Sequence, residues 1–181
     1  MGKIKAYHAG DVEKIEHFLA CRQYMASSYS SNNWLGDGLY FWENNPIKAE
    51  KWLIQKNKGA IMECDIDTEN LLNLLEDNDD SESFFEQAKA LSQKHGTTLL
   101  NNRSSQNFQL DCKIFNEYKK GCFNQFSGIR MAFYLGDSIT KDGNIYTGQH
   151  IQICLWDVSA IKNPAKYIPC RGLLILSAVV N

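Results

Sequence analysis

Three short stretches of this sequence combine residue types that can do chemistry. Tyr7-His8-Ala9-Gly10 sets an imidazole beside two small residues. Gly36-Asp37-Gly38-Leu39-Tyr40-Phe41-Trp42 sets a glycine-rich turn before an aromatic run, and the small Ala49 follows nine positions after Tyr40. Gln149 to Asp157 (QHIQICLWD) places His150 and Gln152 two apart in an apolar stretch. An imidazole hydrogen-bonds or moves a proton, an aromatic face stacks on a planar ring, and a neutral amide donates and accepts without carrying charge. Taken singly, each stretch has an ordinary structural reading. A His beside Gly at a strand end is commonly structural. Gly-x-Gly before an aromatic strand is commonly a turn, because Gly supplies positive φ or lets backbones approach closely. Gln in an apolar run is commonly a hydrogen-bonded sheet residue. Gly36 to Gly38 is also too short for a dinucleotide fingerprint, which needs a strand, G-x-G-x-x-G and a helix. The information lies in the order and spacing of the three together.

The elements that must hold them can be read from periodicity and punctuation. Lys3 to His8 alternates as a first strand. Asp11 caps a helix with the apolar face Val12, Ile15, Phe18 and Leu19. Residues 26–34 read as a polar loop, and Leu39 to Trp42 as a strand. Asn45 before Pro46 starts a helix carrying Ile47, Ala49, Trp52 and Leu53. Ala60 to Ile66 is a third strand. A helical middle is then expected. Thr68 with Leu71, Leu72, Leu74 and Leu75 gives a short helix. Phe84, Phe85, Ala88 and Leu91 give a second, ended by His95-Gly96, and Leu110, Ile114, Phe115 and Tyr118 a third, ended near Gly121. Strands follow over Ile129 to Leu135, His150 to Trp156 and Leu173 to Val180. The order predicts an α+β fold with strands at both ends and a helical insertion over about residues 68–120. In a regular last-but-one strand His150 and Gln152 share a face, because side chains alternate with period two.

Bulk properties bound the rest. The chain has 181 residues, no visible repeat and three prolines, so residues 1–181 read as one domain. The net charge of −2 gives no global field toward nucleic acid or membrane. The six cysteines, at 21, 64, 112, 122, 154 and 170, form no C-x-x-C pair and none sits with His at zinc-finger spacing. No metal site is expected. The start MGKIKAYHAG lacks the apolar core of a signal peptide, and the longest apolar run, Leu173 to Val180, is far short of the roughly 20 residues of a membrane span. Both features, with the cysteines read as reduced thiols, predict a cytoplasmic protein with no membrane partner.

The three stretches together resemble the His-Tyr-Glu/Gln signature of the diphtheria-toxin-like and poly(ADP-ribose) polymerase-like ADP-ribosyltransferases, in the manner of a small bacterial toxin-like member. In that family a strand ends in His-Gly or His-x-Gly. A Gly-x-Gly-x-Tyr-Phe segment then leads into a helix with a small residue near its ninth position, and a last strand is headed by Glu or a substitute. The resemblance implies a split β-sandwich of mostly antiparallel strands, two packed sheets with NAD in the cleft between them and the helical segment as an inserted lobe. It implies His8, Tyr40 and Gln152 as the catalytic triad, and His8, Ala9, Gly10, Gly38, Tyr40 and Trp42 as the residues that bind NAD, which is substrate rather than resident cofactor. Gln152 stands where the family's Glu-x-x-x-x-Asp has its acid, with Asp157 at the end of the pattern. The helical middle has no counterpart in the resemblance.

The implied chemistry suits these residue types. Loss of neutral nicotinamide leaves an oxocarbenium-like ribose, which an enzyme assists by holding the leaving amide, clamping the ribose and placing dipoles near the charge. Backbone groups at Ala9 or Gly10 would pair with the carboxamide. The His8 imidazole would bond the adenosine ribose, the Tyr40 ring would stack on nicotinamide, and Gln152 would bond the nicotinamide ribose. Gln cannot act as a base, so Glu43 and His150 are the nearest auxiliary candidates. The function this implies is mono-ADP-ribosyl transfer to a macromolecule by a toxin of a toxin–antitoxin or phage-defence system, restrained by an antitoxin protein. Between acceptors, nucleic acid stands slightly ahead of protein. Lys113, Lys119, Lys120 and Arg130 are interleaved with Phe115, Tyr118, Phe123, Phe126, Phe133 and Tyr134, a mix that can stack bases and contact phosphates. The loop from Gly136 to Gly148 is the second place where a target would be recognised. The alternative is a catalytically inactive module that holds a nucleotide or a partner in the same cleft.

Overall fold

The computed structural model describes residues 2–23, 25, 27–30, 33–56, 59–94, 108–122, 125–134 and 148–168. Seven strands form one hydrogen-bonded sheet. They are β1 (Lys3–Gly10), β2 (Leu39–Glu43), β3 (Ala60–Asp67), β4 (Leu71–Asn73), β5 (Gly128–Tyr134), β6 (Gln149–Leu155) and β7 (Ile161–Lys166), in the order β4-β5-β6-β2-β1-β3-β7. Every pairing is antiparallel except the β4–β5 edge. Four helices pack on it: α1 (Val12–Cys21), α2 (Pro46–Lys56), α3 (Asp79–Lys94) and α4 (Phe108–Cys122). The expected α+β class is what the chain adopts. The expected pair of separate sheets is not: among the described residues all strands share one sheet. The break between halves is partial, and it falls between β1 and β2. β1 pairs with β3 along its full length, from Lys3↔Asp67 to Gly10↔Ala60, but with β2 only at Ala6↔Glu43 and Tyr7↔Trp42.

Local chemistry explains the helices on the two outer layers. The Asp11 side chain accepts from the backbone N–H groups of Glu13 and Lys14, and Arg22 closes α1 in the left-handed region at φ 58°. Asn45 accepts from Lys48 N–H at 3.1 Å to start α2, with Pro46 at its first position. α1 buries Ile15 and Phe18 against one face of the sheet, with Ala6, Phe41, Met62, Cys64, Ile153 and Leu155. The other face is covered twice. α2 brings Ala49, Trp52 and Leu53 to Tyr7, Ala9, Trp42 and Ile61. Residues of α3 and α4, among them Phe84, Phe115 and Tyr118, cover Ile129, Cys154, Met131 and Phe133. No helix among the described residues is long and apolar enough to cross a membrane.

Two elements differ from the sequence expectation. The leucines after Thr68 form the short strand β4, not a helix. Its backbone is satisfied by β5 through Leu71↔Gly128 and Asn73↔Arg130, and Leu71 and Leu72 are buried. A tertiary partner overrides the helical preference of a leucine-rich run. The inserted helical segment therefore begins at Asp79. The second difference is β7, which the sequence reading missed. Pro164 interrupts its pattern, yet as an edge strand beside β3 it tolerates a proline, and the register shifts between Glu63 and Asp65 to absorb it. The predicted strand over Leu173 to Val180 and the loop over residues 136–147 lie outside the described residues.

Candidate functional site

The three motif strands are neighbours in the sheet, in the order β6-β2-β1. Trp42 is the register partner of both Tyr7 and Gln152, and Gln152 also faces Met131 on β5. The row Tyr7–Trp42–Gln152–Met131 thus crosses from the cluster under α2 to the cluster under α3 and α4. Tyr40 and His150 lie on the same face as Gln152, two residues from the row on their strands.

His8 lies where the sheet opens, and its side chain is on the face opposite Gln152, with Ala6, Phe41 and Met62. Beyond Tyr7↔Trp42 the β1–β2 ladder stops, and the backbone groups that would have paired need other partners. The His8 imidazole supplies one: its Nδ1–H donates to the Tyr40 carbonyl at 2.7 Å. A carbonyl only accepts, so the neutral ring carries its proton on Nδ1 and leaves Nε2 as an acceptor. Gly10 packs directly under this ring: a Cβ at that position would stand 2.6 Å from Nε2, so a larger residue would make the imidazole shift. Burial pushes the His8 pKa down to about 4 from its ordinary 6.5, against the opposing pull of the Tyr40 carbonyl. The imidazole is therefore neutral at physiological pH.

That shift has a sign that can be tested. Between pH 6.5 and about 4 the unfolded chain binds the His8 proton and the folded one does not. Stability is full above 6.5, falls as the pH drops through this window, and levels below the folded value. The loss attributable to His8 is at most about 3 to 4 kcal/mol, from roughly 2.5 units at 1.36 kcal/mol each. In His8→Asn, the side-chain NH2 can still donate to Tyr40 but does not titrate. Denaturant unfolding from pH 7.5 to 4.5 is expected to fall less steeply in this variant than in the wild type. Parallel curves would show that His8 does not carry the shift.

Tyr40 cinches the turn that precedes it. Its hydroxyl donates to the Gly36 carbonyl at 2.7 Å and accepts from Leu35 N–H at 2.8 Å. Burial raises its pKa, so it remains a neutral phenol. Gly36 has φ +76°, and at Gly38 a Cβ would stand 2.4 Å from Cys154 Sγ and 2.7 Å from the Leu155 carbonyl. Helix α4 braces the same turn: Asn116 accepts from Asp37 N–H at 2.7 Å and donates to the Asp37 carboxylate at 3.1 Å. The Gly-x-Gly-x-Tyr segment is thus a turn locked from both sides, and Trp42 and Ala49 belong to the core beneath α2.

Gln152 is buried, at 9% exposure, and its Nε2 lies 2.9 Å from His150 Nε2. His150 Nδ1 lies 3.1 Å from the Gly148 carbonyl. Trp34 and Phe133 stand beside the His150 ring, with centroids at 6.2 and 6.0 Å, and 4.9 Å from each other. The sequence reading paired His150 with Gln152 by alternation but missed Trp34 and Phe133, which only the packing of Trp34 against β5 reveals. As auxiliary bases, neither candidate is free. His150 is engaged by the Gln152 amide. Glu43 is on the opposite face of β2 and forms a two-pronged pair with Arg130, at 2.6 and 2.7 Å. Asp157 accepts from Ser159 N–H at 2.8 Å and caps the turn Val158–Ala160, a structural role.

The proposed stacking segment is mostly core. Phe115, Tyr118 and Phe126 are buried, Arg130 is tied to Glu43, and Lys119 donates to the Asp37 carbonyl and lies over the Trp156 ring. Phe123 lies outside the described residues. Among the described residues no cluster of three or more His, Cys, Asp or Glu could hold a metal ion. Two open cavities, of about 500 and 570 Å³, flank the motif strands. One is lined by Tyr29, Asp37 and Asn116 among others, the second by Leu39, Trp156 and Asp157 among others. Neither of these two is lined by His8, Tyr40 or Gln152. No family model matches the chain, and no curated protein and no solved structure matches it.

Proposed function

We propose that the chain is an NAD-consuming mono-ADP-ribosyltransferase with His8, Tyr40 and Gln152 at its site, on an ADP-ribosyltransferase-like fold. The observation that carries this reading is the convergence of the three motif strands as adjacent β6, β2 and β1, with the sheet opening at His8 and Tyr40. The chemistry of the side chains agrees with it. His8 offers a neutral Nε2 acceptor and Gln152 an amide, groups that hydrogen-bond ribose hydroxyls and would bind a phosphate poorly. The acceptor is a macromolecule. With the Phe115, Tyr118 and Phe126 rings buried, the stacking argument for nucleic acid loses those three members.

One observation favours a second reading, a catalytically inactive module that holds a nucleotide or partner. Gln152 brings no carboxylate to its face, and Glu43 is committed to Arg130 on the other. Incubation of the protein with labelled NAD and cell extract, followed by nuclease or protease digestion, separates the two readings and the two acceptor classes. Label released by nuclease or by protease supports transfer. Binding of NAD without release of nicotinamide supports the inactive module.

A transferase of this kind acting in the cytoplasm of its own host needs restraint, so we place it as the toxin of a toxin–antitoxin or phage-defence pair, held by an antitoxin. Expression of the chain alone is expected to arrest bacterial growth. Tyr40→Ala is expected to relieve the arrest, since it removes both the ring and the hydroxyl that holds the 35–36 turn. Growth curves with matched soluble protein levels check this. Equal arrest by both forms would count against a role for Tyr40, and equal growth against toxicity.

A further inference from the structure

We infer that His150 is the positioning residue of the site. It accepts a hydrogen bond from the Gln152 NH2 group and fixes the amide with Oε1 turned away from the imidazole, so that β6 presents an acceptor to a ligand hydroxyl. The assignment follows from atom types. The Gly148 carbonyl only accepts, so His150 Nδ1, 3.1 Å away, carries the proton. In the neutral ring Nε2 is then bare and its partner at 2.9 Å must donate, which selects the amide nitrogen of Gln152 over its oxygen. The converse arrangement requires a protonated imidazole. Burial lowers the His150 pKa against the opposing pull of the Gly148 carbonyl, Lys48 of α2 adds to the lowering, and the two rings beside it, Trp34 and Phe133, bring no charge.

Gln152 Oε1 has no hydrogen-bond partner among the described residues, and no fully buried side-chain nitrogen or oxygen is left unpartnered. Oε1 is therefore not fully buried. His8 follows the same scheme, with Nδ1 tied to a carbonyl and Nε2 free to accept. His8, however, is on the opposite face of the sheet, beside Phe41 and Met62, so the acceptor offered on the Gln152 face is Oε1, fixed through His150. That polarity matches a ligand presenting hydroxyl groups. The identification of that ligand as the nicotinamide-side ribose rests on the functional reading above.

The test reads orientation and activity separately. Side-chain ¹⁵N NMR of the wild-type protein at neutral pH is expected to show His150 protonated on Nδ1 and coupled through Nε2 to the Gln152 NH2. His150→Leu is expected to reduce NAD cleavage about tenfold or more, chiefly in kcat, as the freed amide samples both orientations. His150→Gln, whose Oε1 can take the place of Nε2, is expected to recover activity to within about threefold of wild type. A His150 protonated on Nε2, or His150→Leu as active as wild type per folded molecule, overturns the proposal. Failure of His150→Gln to recover activity, with fold and Gln152 resonances intact, overturns it as well. Absence of NAD cleavage in the wild type, with the tautomer as stated, overturns the transferase reading while the amide orientation stands.

Discussion

Gln152→Ala is expected to lower NAD cleavage by about 10²-fold or more, roughly 3 kcal/mol of transition-state stabilisation, with the fold intact. The amide hydrogen-bonds to His150 and to no other described group. Its removal therefore leaves one small polar loss in the fold and deletes the acceptor offered to the ligand. Gln152→Glu is the more informative variant. A carboxylate has no N–H to give to His150 Nε2, so the imidazole must take up a proton to remain bonded at 2.9 Å. The His150 pKa is then raised rather than lowered, and the variant holds a carboxylate–imidazolium pair at neutral pH. NAD binding is expected to persist and NAD hydrolysis to be retained or increased, because the new charge faces the oxocarbenium, while transfer to the acceptor falls. Its activity should also decline on the alkaline side, where the imidazolium loses its proton. Melting temperature and nicotinamide release measured on one preparation decide the matter. Lower stability with unchanged activity per folded molecule would reduce Gln152 to a sheet residue with a satisfied amide.

Glu43→Ala is expected to destabilise the protein by about 3 kcal/mol or more. The Glu43–Arg130 pair is largely withdrawn from water, with side-chain exposures of 8% and 16%, and links β2 to β5 across β6. Removing the carboxylate leaves a guanidinium with only Asn73, at 3.2 Å, as its other described partner. The double change Glu43→Met with Arg130→Met is expected to recover most of the loss, since two apolar side chains avoid both desolvation costs. Denaturant melts of the wild type and these two variants measure the loss and its recovery. A further variant, Glu43→Gln, tests Glu43 as the missing base. Its carboxylate is on the opposite face from Gln152 and already holds two hydrogen bonds, so NAD cleavage per folded molecule should be retained in Glu43→Gln. A fall of 10²-fold or more there, typical of a lost catalytic group, would restore Glu43 to the site.

Much of this molecule is legible from local signals. Asp11, Asn45 and Pro46 mark helix starts because capping is chemistry within a few residues. The alternation of Lys3 to His8 and of Ala60 to Ile66 marks strands because one face must be apolar. The pairing of His150 with Gln152 follows from the strand period alone. These are short-range properties, and a linear sequence carries them directly.

What the sequence could not decide are the partners brought in from far along the chain. The run around Leu71 and Leu72 is a strand only because β5 offers it a ladder, and Pro164 is tolerated only because β7 is at an edge. Glu43 reads as a candidate base beside an aromatic motif until Arg130, 87 residues away, binds it. The protonation pattern of the site is tertiary as well. Which nitrogen of His8 carries the proton depends on the Tyr40 carbonyl, 32 residues distant, where two strands part. The sequence by itself determined the residue types and the faces they occupy. The tertiary structure decided which of them are free to meet a ligand, because a hydrogen bond or ion pair formed within the fold consumes the same donor or acceptor that chemistry would use.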